Sequence, residues 1–171
     1  MSADNFEQCL ALVLKHEGGF VNNPLDPGGM TNLGVTKKTW EDWLGNPVDE
    51  SAMRALGPSD VEPLYKKNYW DKIRGDILPL GVDYACFDIA VNSGVSRAIK
   101  TLQKALGVGA DGLIGRATLD ALETCNPRQV ATEICEIRLN FLQSLPTFAT
   151  FGKGWTRRVS EVEESAFKMV G

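Results

Sequence analysis

Histidine is almost missing from this chain: His16 is the only one in 171 residues. Zinc hydrolases take two or three histidines, or a cysteine cluster, as metal ligands, so a zinc peptidase or amidase is all but excluded and no metal is expected. The same imidazole would have to serve any Ser or Cys nucleophile, and its neighbours Lys15 and Glu17 provide none. Close cysteine pairs are missing too. Cys9, Cys86, Cys125 and Cys135 lie in separate apolar segments with no CxxC spacing, which reads as reduced core residues and not as disulfides or a metal site. No cofactor is expected.

Basic excess is lacking as well. Eighteen Lys and Arg against 22 Asp and Glu give a net charge of −4, which offers no bulk attraction to nucleic acid or anionic lipid. Apolar runs such as "CLALVL" fall far short of the roughly 20 residues a membrane span needs, so no membrane insertion is expected. The start "MSADNFEQ" has neither a basic nor a hydrophobic signal segment, so synthesis in the cytosol without an export address is expected. At this length and 43% hydrophobic composition, one ordinary domain is the default.

Turn signals and helical periodicity are abundant. "DNFEQCLALVLKH" places Phe6, Cys9, Leu10, Val13 and Leu14 at helical spacing, with Asp4 and Glu7 as a capping box. Gly18 and Gly19 end that helix and leave Glu17 in its last turn. "NNP", "DPGG" and "NLG" then predict an irregular or small β-containing lobe up to Val35. Thr36 can cap a helix holding Trp40 and Trp43, "DESAMRAL" reads as another, and "SDVE" opens a third that runs to about Ile73. "LGVDYACFDIAVNSG" is apolar nearly all round and should be the central buried helix, stopped by Gly94. Further helices are expected up to Gly107, over Arg116 to Thr124, from Asn126 and Pro127, and from Trp155 to Val170, with "PTFATFGKG" as the last loop. The fold class is mainly α, about nine helices with one small lobe after the first. It is expected to be a single unit over 1–171, with residues 1–94 and 95–171 as packed segments around a soft boundary near Gly94.

Carboxylates carry the candidate chemistry. Breaking a glycosidic bond needs a carboxylic acid beside the leaving oxygen and a second carboxylate to activate water or stabilise charge on the sugar. Glu17, facing the negative end of its helix dipole, suits the proton donor. Asp26, nine positions on in a loop stiffened by Pro24 and Pro27 and loosened by Gly28 and Gly29, can fold back towards it. Thr31 and Thr36 add hydroxyls able to hold a water. The bland alternatives are a solvated helix-end glutamate and an ordinary turn aspartate.

The string "HEGGFVNNPLDPGGMTNLGVT" resembles the signature of glycoside hydrolase family 108, the phage and prophage N-acetylmuramidases, in which the glutamate of an "EGG-aromatic" motif is catalytic. Glu17, Gly18, Gly19 and Phe20 match it, with Phe in place of the more usual Tyr. "YKKNYWDKIRGDILP" and "FDIAVNSGVSRAIKTLQKALGVGADGLIG" also resemble that family and its C-terminal peptidoglycan-binding region, so the likeness runs from about Phe6 to Arg158. The order glutamate, aspartate, threonine is similar to phage-type lysozymes, which implies Glu17 as acid, Asp26 as water-positioning carboxylate and Thr31 as water-orienting hydroxyl.

The resemblance implies a lysozyme-like endolysin that hydrolyses the β-1,4 bond between N-acetylmuramic acid and N-acetylglucosamine in bacterial peptidoglycan. It would be a prophage product, acting as a monomer and reaching the wall through a holin pore or on lysis. A lytic transglycosylase, or a non-catalytic peptidoglycan-binding or secretion-accessory protein, is the alternative. Phe20 and Thr36 join the substrate-binding candidates. Tyr69 and Trp70 can stack on sugar rings, although Trp70 also falls on the apolar stripe of its helix. Asp88 and Asn92, four apart on one face, are either a cleft-facing pair or an internal hydrogen bond, and Asp88 is the reserve second carboxylate. Asp111-Gly112 reads as a structural turn. His16 reads as a flank of the active loop, and Arg157-Arg158 as a solvated helix face with contact to substrate carboxylates as the alternative.

Overall fold

Gly18 ends the first helix, α1 (Phe6–Glu17): it takes φ 80°, and its N–H bonds to Leu14 O at 3.2 Å. A side chain would be strained in that conformation, so the helix stops with Glu17 as its final residue. The computed structural model describes residues 5–25 and 29–171. Asp4, expected to cap α1, and Asp26, expected beside Glu17, lie outside the described residues.

Three short strands follow: β1 (Val21–Asn22), β2 (Met30–Asn32) and β3 (Val35–Thr36), antiparallel in that order. Thr31 pairs with Val21 on one side and Thr36 on the other, while Asn32 pairs with Val35. Side chains alternate across a strand, so buried Asn32 and Val35 share the inner face, and Val21, Thr31 and Thr36 share the outer one. The Asn32 amide donates to Met53 O at 2.8 Å and ties that inner face to the helix behind it. Leu33 and Gly34 alone join β2 to β3, at φ 52° and 77°, the sign pattern of a type I′ hairpin turn.

Helix α2 (Lys37–Leu44) is capped by Thr36, whose hydroxyl accepts from Thr39 N, and α3 (Glu50–Arg54) by Asp49. Helix α4 (Pro58–Tyr65), with Gly57 as its N-cap, begins two residues earlier than the "SDVE" capping box suggests. Asp60 provides the cap by accepting from Gly57 N at 2.8 Å, which frees Pro58 for the first helical position, where no N–H is needed. The chain then widens into a π-helical turn, Lys66–Trp70, in place of a regular helix to Ile73.

Beyond a short 3-10 turn, Gly75–Ile77, come α5 (Val82–Ser93), α6 (Val95–Leu106), α7 (Arg116–Thr124), α8 (Pro127–Gln143) and α9 (Phe148–Val170). The described residues thus hold nine α-helices and one small sheet, a mainly helical fold. Helix α5 is buried from Val82 to Ala90 and packs against α6, α8 and α9, as expected of a helix apolar on every side. Helix α9 starts at Phe148 and not at Trp155. The Phe148 ring lies flat on Gly152 one turn on, so "PTFATFGKG" buries apolar surface as helix despite its two glycines.

The chain divides into two compact units: residues 5–9 with Tyr69–Gly171, and Leu10–Asn68. Gly94 is the junction of α5 and α6 inside the first of these, where the two helices pack on each other. Cys9, Cys86 and Cys135 are buried free thiols and Cys125 is half-buried. Burial pushes their ionisation up, that of Cys135 to about 12, and the three buried thiols are inert core groups. Among the described residues no helix is long and apolar enough to cross a membrane.

Candidate active site

The stem of Glu17, on which α1 ends, lies against the hairpin turn of the small sheet. A Cβ on Gly34 would fall 2.5 Å from the Tyr65 hydroxyl oxygen and 3.0 Å from both Cβ and Cγ of Glu17. The turn backbone therefore presses directly on the stem of Glu17, an approach that glycine alone permits. Tyr65, 1% exposed, donates its hydroxyl to Leu33 O at 2.7 Å and so fixes the turn from beneath. Helix α1 supplies the glutamate, the sheet supplies the surface against its stem, and α4 supplies the brace. Glu17 is half-buried, with its preceding residue His16 likewise.

The two threonines differ in what they do. Thr36 spends its hydroxyl on the α2 cap, accepting from Thr39 N at 3.1 Å and donating to Thr39 Oγ1 at 2.9 Å. Thr31, half-buried, stands beside it on the outer face of the sheet. Phe20, just before β1, carries the Arg54 guanidinium over its ring at 4.2 Å from the centroid. Arg54 is turned towards Glu50, 3.3 Å away, so one face of Phe20 is covered by a cation and the motif's aromatic is tied to α3.

The sequence-predicted residues of the other unit are placed differently. Trp70 is not a sugar platform: it is 0% exposed, wedged between Phe6 and Phe87 at 5.3 Å each, and its indole N–H donates to Asp76 Oδ1 at 2.7 Å. The apolar stripe on its helix decided its position. Tyr69, adjacent, remains half-buried.

Asp88 is not available to a substrate either. It is 0% exposed; Arg138 donates to its Oδ2 at 2.7 Å, and Arg158 donates to Oδ2 at 3.0 Å and Oδ1 at 2.9 Å. Burial opposes its ionisation, yet the two guanidiniums win and hold its carboxyl below the usual range. Asn92, exposed one turn on, accepts from Arg138 at 3.2 Å and closes the rim of the cluster. Asp88 and Asn92 thus share a face as the spacing predicts, but as a structural anchor for α8 and α9. Arg158 belongs to this anchor, whereas Arg157 is exposed, so the pair is split between two roles.

Asp111 is a turn residue: its Oδ1 accepts from Leu113 N and from the buried Gln103 amide, both at 2.9 Å. Among the described residues no group of three or more His, Cys, Asp or Glu side chains could hold a metal ion.

Tyr65 and Gly34 were hidden in the sequence for different reasons. Tyr65 falls on an apolar stripe, and "NLG" reads as one turn signal among several. The signal that could have found Gly34 is its partner Leu33: a two-residue loop between β-prone runs demands positive φ at both positions.

Comparisons with known proteins divide the chain near Gly94, which lies inside the first compact unit. The family model described as glycosyl hydrolase 108 matches residues 10–94, and the model described as a predicted peptidoglycan domain matches residues 97–160. Comparison with curated proteins returned no match. Among solved structures, one titled "Structure of Brucella abortus SagA" aligns over 98% of this chain and 96% of its own, with 44% sequence identity and a TM-score of 0.85. Glu17, Gly34 and Tyr65 all fall inside the hydrolase match, and the Asp88 anchor draws its arginines from the peptidoglycan match. The chain belongs to the glycosyl hydrolase 108 family, a glycoside hydrolase segment followed by a peptidoglycan domain.

Proposed function

We propose that the protein is an N-acetylmuramidase, hydrolysing the β-1,4 bond between N-acetylmuramic acid and N-acetylglucosamine in peptidoglycan, with Glu17 as general acid. The observation that carries this reading is the seat of Glu17: a half-buried glutamate, last in its helix, with its stem against a glycine turn that a buried tyrosine braces through Leu33 O. Close packing of the stem restricts where the side chain can point, which supports a general-acid role. In the reaction Glu17 gives its proton to the bridging oxygen as the C1–O bond breaks. Water adds to C1 and its proton passes to the second carboxylate, assigned to Asp26, with Thr31 orienting the water. Phe20 is kept as a substrate contact.

Mass spectrometry of products from purified peptidoglycan tests the bond and the chemistry together. Fragments ending in reducing N-acetylmuramic acid are expected. Ends of the 1,6-anhydro type would replace hydrolysis by lytic transglycosylation, and reducing N-acetylglucosamine ends would move the cut to the other bond. Binding to the wall without any products would make the protein a non-catalytic accessory.

A further inference from the structure

In a chain of net charge −4, helix α6 carries Arg97, Lys100 and Lys104 and no acidic residue. Its inner face, with Ala98, Ile99, Leu102 and Ala105, is buried, and the three cations, spaced three and four apart, form one exposed row. That row lines a concavity of about 290 Å³ together with Ser93 and Ser96, and no carboxylate shares the lining. Among the described residues none of the three cations is paired with an acid.

Two of the three are held in place by packing. The Arg97 guanidinium lies over the Phe141 ring of α8, 3.6 Å from its centroid, a contact that occupies none of its N–H donors. Lys100 rests against the turn at Gly112, where an added Cβ would come 3.4 Å from Lys100 Cε and 3.6 Å from Ser96 Oγ. Gln103, 1% exposed, fixes that turn from inside: its Oε1 accepts from Gly112 N at 2.9 Å, and its amide donates to Leu113 O at 2.8 Å. A buried side chain thus sets the wall on which an exposed lysine lies. The Thr101 hydroxyl donates to Arg97 O at 2.7 Å, so the hydroxyl offered beside the cations is that of Ser96.

Three like charges around one concavity repel one another until an anion sits among them. One carboxylate, with a single charge, balances only part of this set. A phosphate, with nearly two charges and several acceptor oxygens, can meet all three cations and the hydroxyl at once. The space also admits a small organic group beside the anion. No aromatic ring is among the lining residues, so the pocket offers no stacking surface to a sugar ring, and a small acyclic polyol suits it better.

We propose that this pocket on α6 binds the phosphate ester of a small polyol, with Arg97, Lys100, Lys104 and Ser96 on the phosphate. The assignment is independent of Glu17 and of the bond that is cleaved.

Titration of the full chain with glycerol 3-phosphate, glycerol or acetate, followed by amide chemical shifts in NMR, tests it. Glycerol 3-phosphate should give saturable shifts centred on Ser96, Arg97, Lys100 and Gly112, with acetate binding about tenfold more weakly and glycerol not at all. Lys100→Ala with Lys104→Ala should weaken the ester about tenfold, and Arg97→Lys, which keeps the charge but loses the planar fork, about threefold. Thermal melts establish that each variant is folded, and Lys104→Glu repeats the charge test by reversal at an exposed position. No saturable shift with glycerol 3-phosphate overturns the proposal. So does acetate bound as tightly as the ester, or unchanged ester affinity in the folded double variant or in Lys104→Glu.

Discussion

Gly34 occupies a position from which any side chain would strike two others. Its φ of 77° strains every L-residue, and an added Cβ would drive into the Tyr65 hydroxyl and the stem of Glu17. Gly34→Ala is therefore expected to cost about 1–3 kcal/mol in thermal or urea melts and to lower peptidoglycan hydrolysis beyond what the lost folded fraction explains. Tyr65→Phe removes the hydroxyl that bonds Leu33 O and should cost about 1–2 kcal/mol, with a smaller loss of rate, because the ring still fills its place. Equal rates in wild type and a folded Gly34→Ala variant would detach the turn from the chemistry. At the same scale, Asp88→Asn leaves Arg138 and Arg158 facing a neutral amide at the centre of their unit. A loss of about 3–5 kcal/mol is expected, reduced when Arg138→Met accompanies it, since the cost lies in the uncompensated buried charge. A double-mutant cycle by urea denaturation measures that coupling.

Among the elements, α9 separates what is local from what is not. Most helix boundaries were legible because their causes sit next to them in the chain. Thr36, Asn126 and Pro127 start helices, and Gly45, Gly94 and Gly107 stop them by adopting positive φ. The start of α9 was not legible, because Gly152 and Gly154 argue for a loop by propensity while the Phe148 ring on Gly152 argues for a helix by packing. The brace on Glu17 was equally hidden, since Tyr65 meets Leu33 from 32 residues away, and Asp88 finds its arginines 50 and 70 residues away. Glu17 itself was legible, for its helix and its glycine stop are adjacent. Hydrogen exchange checks α9 directly: amides from Gly152 to Trp155 should exchange slowly, as in a closed helix, and rapid exchange there would restore the loop. Gly152→Ala should gain helix propensity and lose the ring's seat, leaving stability within about 1 kcal/mol of wild type while shifting Trp155 fluorescence.

Over the whole molecule, two buried aspartates set opposite responses to pH. Asp83, sealed from solvent, accepts from Gly81 N, Tyr84 N and the Asn5 amide, but burial outweighs these bonds and pushes its carboxyl up to about 6. A raised carboxyl pKa contributes stability that is present below the ordinary value of 3.8 and lost as pH rises towards 6. Asp88 is held low, so its contribution is present above the ordinary carboxylate range and lost on acidification. Asp83→Asn should thus gain on wild type between about pH 4 and pH 6, by on the order of 3 kcal/mol for a shift of about two units, and run parallel above that. Urea melts across that window test it, and a difference that is flat with pH would remove Asp83 as the cause.

The most direct measurement of the central claim compares wild type and Glu17→Gln on purified peptidoglycan, counting the reducing ends released. The substitution keeps the side chain's length, its contacts with the Gly34 turn and the cap at Gly18, and removes only the proton it can donate. The account predicts an unchanged melting temperature with hydrolysis reduced by about 10²- to 10⁴-fold. A folded Glu17→Gln protein that releases reducing ends at near wild-type rate would contradict it.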